Sequence, residues 1–359
     1  MTSHTHIAHD RALGATLPIP IWTAAIFAGA MLVALSLYEY VALDWHPARE
    51  EPALYTVYHW MRMAITLALA AMLARAVGAQ PELDDTPSLT DRERQMGTVS
   101  LAMAIGVIAL LAANRPLFHA MAAEDLALEW ASALLIFAGG ALFLAAAANG
   151  WKTGRNRFDL LVMLGFGGLF LLIAMEEISW GQRVIGFATP EAMAEANWQN
   201  EFNFHNLQTD ISELGYYAGA GILLIVLPLV RDAMPNWAPI RRFAAFIPDR
   251  MTALVSAPML FLSYGHWNLL PIQWLAFFGI MTMVIFARSA WRRGKRDEAT
   301  LFATMGAAVA IGQLAVLTFG PSMIEIFDAT EYREFFIALG LACFAWQFHR
   351  AQKTAAADA

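Results

Sequence analysis

A succession of apolar runs, each about as long as a bilayer-spanning helix of roughly 20 residues, is the feature that most constrains this 359-residue chain. Ten such runs can be drawn, at residues 20–43, 56–78, 96–113, 126–149, 158–180, 214–231, 251–268, 271–289, 301–320 and 333–349. Each is bounded by polar or turn residues, and a helix satisfies its own backbone polar groups in hydrocarbon. The expected fold is therefore an all-α integral membrane protein: one polytopic domain over residues 1–359, with about ten transmembrane helices. The tenth run is the weakest, because Glu331, Arg333 and Glu334 crowd its start. Trp267-Asn268-Leu269-Leu270-Pro271 joins the seventh and eighth so tightly that they must form a hairpin.

Composition excludes the soluble alternatives. Hydrophobic residues make up 58% of the chain and charged residues 15%, where a soluble domain carries about 25% charge. Mean hydropathy is +0.50. A net charge of −7 without a long basic run gives no surface for a nucleic-acid partner. The single cysteine, Cys343, allows no disulfide framework and no Cys-based metal site. Residues 1–17 read as a polar, flexible tail, residues 350–359 as a second tail, and the run from Ile19 to Leu43 is too long for a cleaved signal.

Charge asymmetry predicts the orientation. Of the 23 Lys and Arg residues, Arg49, Arg115, Arg183 and Arg333 fall in the loops of one side, and Arg62 lies inside the second run. The other 18 lie in the loops of the opposite side, which places that side and both termini in the cytoplasm of a bacterial inner membrane. Acids lean the other way, with 18 of 30 on or near the outer face, as do five of nine histidines.

The fifth run closes on Met175-Glu176-Glu177-Ile178-Ser179-Trp180-Gly181-Gln182-Arg183, and the loop after it carries Asn203-Phe204-His205-Asn206. Carboxylates at the end of a membrane segment are costly and by default functional. A helix continued through Arg183 puts Glu176, Trp180 and Arg183 on one face and turns Glu177 about 100° away. The loop of residues 181–213 is long for a connection. In it, Thr189-Pro190-Glu191 has the form of a helix start, giving a short helix from Pro190 to about Ala196. Alternating aromatic and amide residues from Asn197 to Asn206 suit an interfacial or re-entrant segment with rings toward lipid and amides toward protein. Other polar residues at the same depth, Glu39, His59, Arg62, Glu129, Tyr264, His266 and Asn268, predict one outer-face cluster.

The run EEISWGQR, a Thr-Pro further on and then N-x-H-N resemble a pattern in bacterial polytopic inner-membrane proteins of no established activity. The resemblance covers residues 175–206. It implies that Glu176, Glu177, Trp180, Gln182, Arg183, Asn203, His205 and Asn206 form one unit, and it carries no activity with it.

From the residues themselves, the leading expectation is a membrane-embedded enzyme acting at the periplasmic boundary on a lipid or lipid-linked substrate, as a transferase or hydrolase. Glu177, Glu176 and His205 are its candidate catalytic groups. Arg183 and Arg62 are expected to hold an anionic headgroup, with Gln182, Asn203, Asn206, Trp180 and His266 completing the binding site. A divalent metal is conceivable on Glu201, His205 and Glu177, since Glu201 and His205 are four apart, although that spacing alone is weak support. Three alternatives stand beside this: a proton- or solute-coupled transporter or channel, a non-catalytic scaffold, and a purely structural ion pair of Glu176 or Glu177 with Arg62 or Arg183.

Overall fold

In the computed structural model, residues 21–46, 48, 51–123, 126–197, 201–320 and 330–357 are described, and among them the secondary structure is helical with no strand. The residue 1–17 tail lies outside this set. Eight helices are long and apolar enough to cross a membrane among the described residues. They are α1 (Ile21–Ala42), α2 (Val57–Gly78), α3 (Asp91–Ala113), α5 (Ala127–Lys152), α6 (Arg157–Glu177), the helix of residues 209–233, α13 (Leu270–Arg292) and α14 (Arg296–Phe319). Short helices connect them: α4 (Arg115–Met121), α7 (Gln182–Ile185), α8 (Glu191–Ala196), α11 (Ala238–Phe243) and α12 (Arg250–Ser256). A final long helix, α15 (Thr330–Ala357), follows.

Polar signals at the helix starts agree with the apolar runs. Thr90 and Glu93 form a reciprocal capping box on α3. On α6 the Asn156 side chain accepts from Asp159 N at 2.8 Å, and Asp159 lies in the first turn, where negative charge favours the helix dipole. The helix of residues 209–233 is α9 (Thr209–Gly221), a π-helical turn (Ile222–Val226) and α10 (Leu227–Ala233). The widened turn sits just before Pro228, whose ring in a regular helix would collide with the Leu224 carbonyl.

Two of the ten expected spans differ. The seventh run is not one helix. Residues 250–256 are α-helical, 257–260 form a 3₁₀ turn, and the chain from Phe261 to Leu269 is irregular, yet almost all of it is buried. Non-helical backbone at membrane depth is tolerated where protein surrounds it. A buried loop and a buried helix have the same hydropathy, so the run read as a span. The tenth run does form a helix, α15, but charged and polar residues at both ends of its apolar stretch, Arg333 and Glu334 before it and Gln347, His349 and Arg350 after, keep it out of the eight apolar ones.

The core beneath the site is made by α5, α6 and α15. Phe143 of α5 stacks on Phe166 and meets Phe170, Phe344 and Phe348 edge-on or tilted. Gly139 and Gly140 of α5 and Gly167 of α6 let the backbones approach: a Cβ on Gly167 would lie 2.6 Å from Leu144 Cδ2 and 3.3 Å from the Gly140 carbonyl. These mid-helix glycines serve close packing, as their position suggests. At the opposite, basic end, Arg250 pairs with Asp232 at 2.8 Å and with Glu298 at 3.4 Å, and Arg293 pairs with Glu298 at 2.6 Å.

Candidate functional site

Helix α6 stops at Glu177, earlier than the expected residue 180, and does not run on to Arg183. Ser179, Trp180 and Gly181 take left-handed backbone conformations in succession, with φ of 46°, 57° and 74°. For the two non-glycine residues this costs on the order of 1–2 kcal/mol each, so the surroundings must hold the turn in place. They do so through side chains of the following loop. Ser179 Oγ donates to Glu201 Oε2 at 2.7 Å and accepts from Asn203 Nδ2 at 3.2 Å. Gln182 donates to the Phe187 carbonyl and to Thr189 Oγ1, and its own carbonyl accepts from Phe202 N at 2.6 Å. Asn197 Nδ2 bridges the Glu201 carbonyl and Asn203 Oδ1, both at 2.9 Å.

Glu176 is the centre of this clasp. It accepts from the Trp180 indole at 2.6 Å and from the backbone N–H groups of Phe204 at 2.6 Å and His205 at 3.0 Å. The His205 Nδ1 atom lies 3.5 Å from the same carboxylate. Burial works against a charged ring at His205, but the Glu176 contact and the nearby Glu334 and Glu213 carboxylates outweigh it and raise its pKa above the ordinary 6.5. The expected helix after Thr189 is present as Glu191–Ala196. In the segment after it, Asn197, Asn203 and Asn206 are buried while Phe204 is exposed, so amides point inward and that ring outward. Trp198, Gln199 and Asn200 lie outside the described residues.

Glu177 faces elsewhere. It lines a cavity of about 810 Å³ between α6, α9, α15 and the loop. The deep wall is apolar, with Leu169, Phe170, Leu172 and Ile173 of α6, Ala220 of α9, Leu223 of the π turn and Leu341 of α15. The outer end carries Glu129, Glu176, Glu177, Glu201, His205, Asn206, Asp210, Glu213, Glu331 and Glu334. Glu177 lies beside Glu334 of α15, and both line the cavity. Tyr217 Oη donates to Glu334 Oε1 at 2.9 Å, and the Arg333 guanidinium lies 3.7 Å above the Tyr217 ring. His266 Nε2 sits 2.9 Å from Glu213 Oε2, packed edge-on against Tyr217.

The arginines depart most from expectation. Arg62, with 2% of its surface exposed, pairs with Glu39 at 2.7 Å and donates to the Asn268 carbonyl. Arg183 pairs with Glu201 at 2.9 Å, because the left-handed turn swings it away from Glu176. Among the described residues, the ion-pair partner of Arg62 is Glu39 and that of Arg183 is Glu201, in place of Glu176 or Glu177, and the cavity lining contains neither arginine. The outer-face polar residues accordingly fall into two groups, one around Glu39, His59 and Arg62 and one around the cavity. The segment from Tyr264 to Asn268 touches both, through His266 and Asn268. Glu201 and His205 share no helical face: Glu201 precedes the 3₁₀ turn that His205 opens, and it is already bonded to Ser179, Arg183 and Asn203. No group of three or more His, Cys, Asp or Glu side chains suited to a metal occurs among the described residues.

No family model, curated protein or solved structure matches the chain. The site therefore stands on its own geometry. Glu334, Glu213, Tyr217 and Glu331 belong to it although the sequence did not single them out as site residues. Glu331 and Glu334 read only as charges weakening the start of a helix, and their distance along the chain from Glu177 gave no hint of contact.

Proposed function

We propose that the cavity takes a membrane amphiphile and that the protein is a membrane-embedded enzyme, a hydrolase or transferase, acting on the head of that molecule. The observation that supports this most is a cavity of about 810 Å³ that is apolar at depth and rich in titratable groups at its outer end. That volume falls within the roughly 300–1,000 Å³ usual for small-molecule sites, and the mix of apolar lining with a few convergent polar groups is equally usual there. With the basic loops in the cytoplasm, the headgroup end faces the periplasm of a bacterial inner membrane.

The two adjacent glutamates take different roles. Glu176, committed to three N–H donors, is a positioning residue that holds His205 and closes the loop over the cavity. Glu177, in contact with Glu334, is the group free to accept a proton from a hydroxyl or water that attacks the headgroup. His205, its pKa raised by the Glu176 contact and the nearby carboxylates, gives its proton to the departing oxygen. One bond to the attacking oxygen forms, one to the leaving oxygen breaks, and the proton taken up by Glu177 is matched by the one His205 gives to the leaving oxygen.

The test is lipid turnover. The purified chain, reconstituted in nanodiscs made from a total bacterial lipid extract, should change one headgroup class by mass spectrometry. Glu177→Gln should stop that change at an unaltered melting temperature. A wild-type protein of correct fold that leaves every lipid class unchanged would sink the enzymatic reading and favour a scaffold or transporter.

A further inference from the structure

We infer that the headgroup end of this cavity is built for a positively charged, amine-bearing amphiphile rather than for a phosphate or another anion. The inference rests on the reading of the cavity as a ligand site and adds the charge of the ligand. Among the described residues, eight carboxyl side chains line the cavity, Glu177, Glu213, Glu331 and Glu334 among them, against the imidazole of His205. Among the described residues no Lys or Arg lines it. The two arginines placed to receive an anionic head are held by Glu39 and Glu201. An anion at that end would stand among carboxylates, with the Phe204 and His205 amides already given to Glu176 and the Arg333 guanidinium stacked on the Tyr217 ring. An ammonium would add an opposite charge beside these carboxylates.

The acidity alone would not make a site. Here it caps a half-open apolar cavity lined by Leu169, Ile173 and Leu223, so one molecule with a chain and a cationic head matches both halves. On α9, Gly215 and Gly219 both line that volume, and a Cβ at either would meet nothing within 4 Å. A large side chain at Gly219 can therefore fill the cavity without a backbone clash.

The experiment uses the full chain in phosphatidylcholine nanodiscs with three probes: dodecylamine, dodecyl phosphate and spermidine. Specific binding is taken as the difference between wild type and Gly219→Phe. Dodecylamine should bind at least about tenfold tighter than dodecyl phosphate, a difference of about 1.4 kcal/mol. Glu177→Gln with Glu334→Gln should narrow that gap, and spermidine, which has charge but no chain, should bind weakly. Dodecyl phosphate binding as tightly as the amine overturns the inference and leaves the amphiphile reading intact. Spermidine binding as tightly as dodecylamine overturns it as well, because the chain would then play no part. If Gly219→Phe folds with a normal melting temperature and displaces neither dodecyl probe, the cavity is not the ligand site and the underlying reading fails.

Discussion

Glu176 and Glu177 are neighbours in sequence and differ in almost every contact. The helix turn between them sends one carboxylate to the Trp180 indole and the 204–205 amides and the other into the cavity beside Glu334. The division was legible in part, since adjacent helical residues point about 100° apart; the partner of each was not. His205 gives this pair a pH signature. Its pKa is raised in the folded protein, so the stabilisation its charged ring contributes is complete below the unfolded value near 6.5. That stabilisation disappears as pH rises through the elevated native value. The melting-temperature difference between wild type and His205→Asn should therefore be larger at pH 6 than at pH 9, and a gap that widens with alkalinity would contradict the assignment. The Glu39–Arg62 pair is a separate and structural matter. Arg62→Met should cost about 3–5 kcal/mol by stranding Glu39, and adding Glu39→Gln should recover much of that loss in denaturation measurements.

At the level of elements, the apolar runs located most helices because hydropathy reports burial in lipid or protein. The same property made the irregular chain from Phe261 to Leu269 look like a helix, since hydropathy does not distinguish how the backbone is paired. The end of α6 was misread for a different reason. Trp180 and Ser179 adopt left-handed φ under the pull of Glu176, Glu201 and Asn203, and only Gly181 advertises such a turn locally. Glycines on two of the helices around the site show how one residue type serves opposite ends. Gly167 of α6 touches its neighbour, whereas Gly219 of α9 faces open space. Gly167→Leu should destabilise the protein by roughly 1–3 kcal/mol through overpacking against Leu144 and Gly140. In the same thermal assay Gly219→Phe should be neutral or slightly stabilising, because glycine is a poor helix former. Equal destabilisation by both would mean that α9 packs as closely as α6 does.

For the whole molecule, the multi-pass architecture places a cavity with an apolar interior beside the loop that follows α6. Its polar end draws on α5, α6, that loop, α9 and α15, which lie far apart in sequence, and this is why Glu334 and Glu213 could not be assigned from local pattern. The motif that could be read, from Glu176 to Asn206, is mainly a clasp between the end of α6 and its loop, and it lends Glu176, Glu177, Glu201, His205 and Asn206 to the cavity lining. The central claim is that this interior holds an amphiphile. It is tested most directly by native mass spectrometry of the protein released from its membrane, comparing wild type with Gly219→Phe at matched melting temperature. Wild type should retain one lipid-sized ligand per chain and Gly219→Phe none; wild type without a ligand, or a variant that keeps the same one, would contradict the claim.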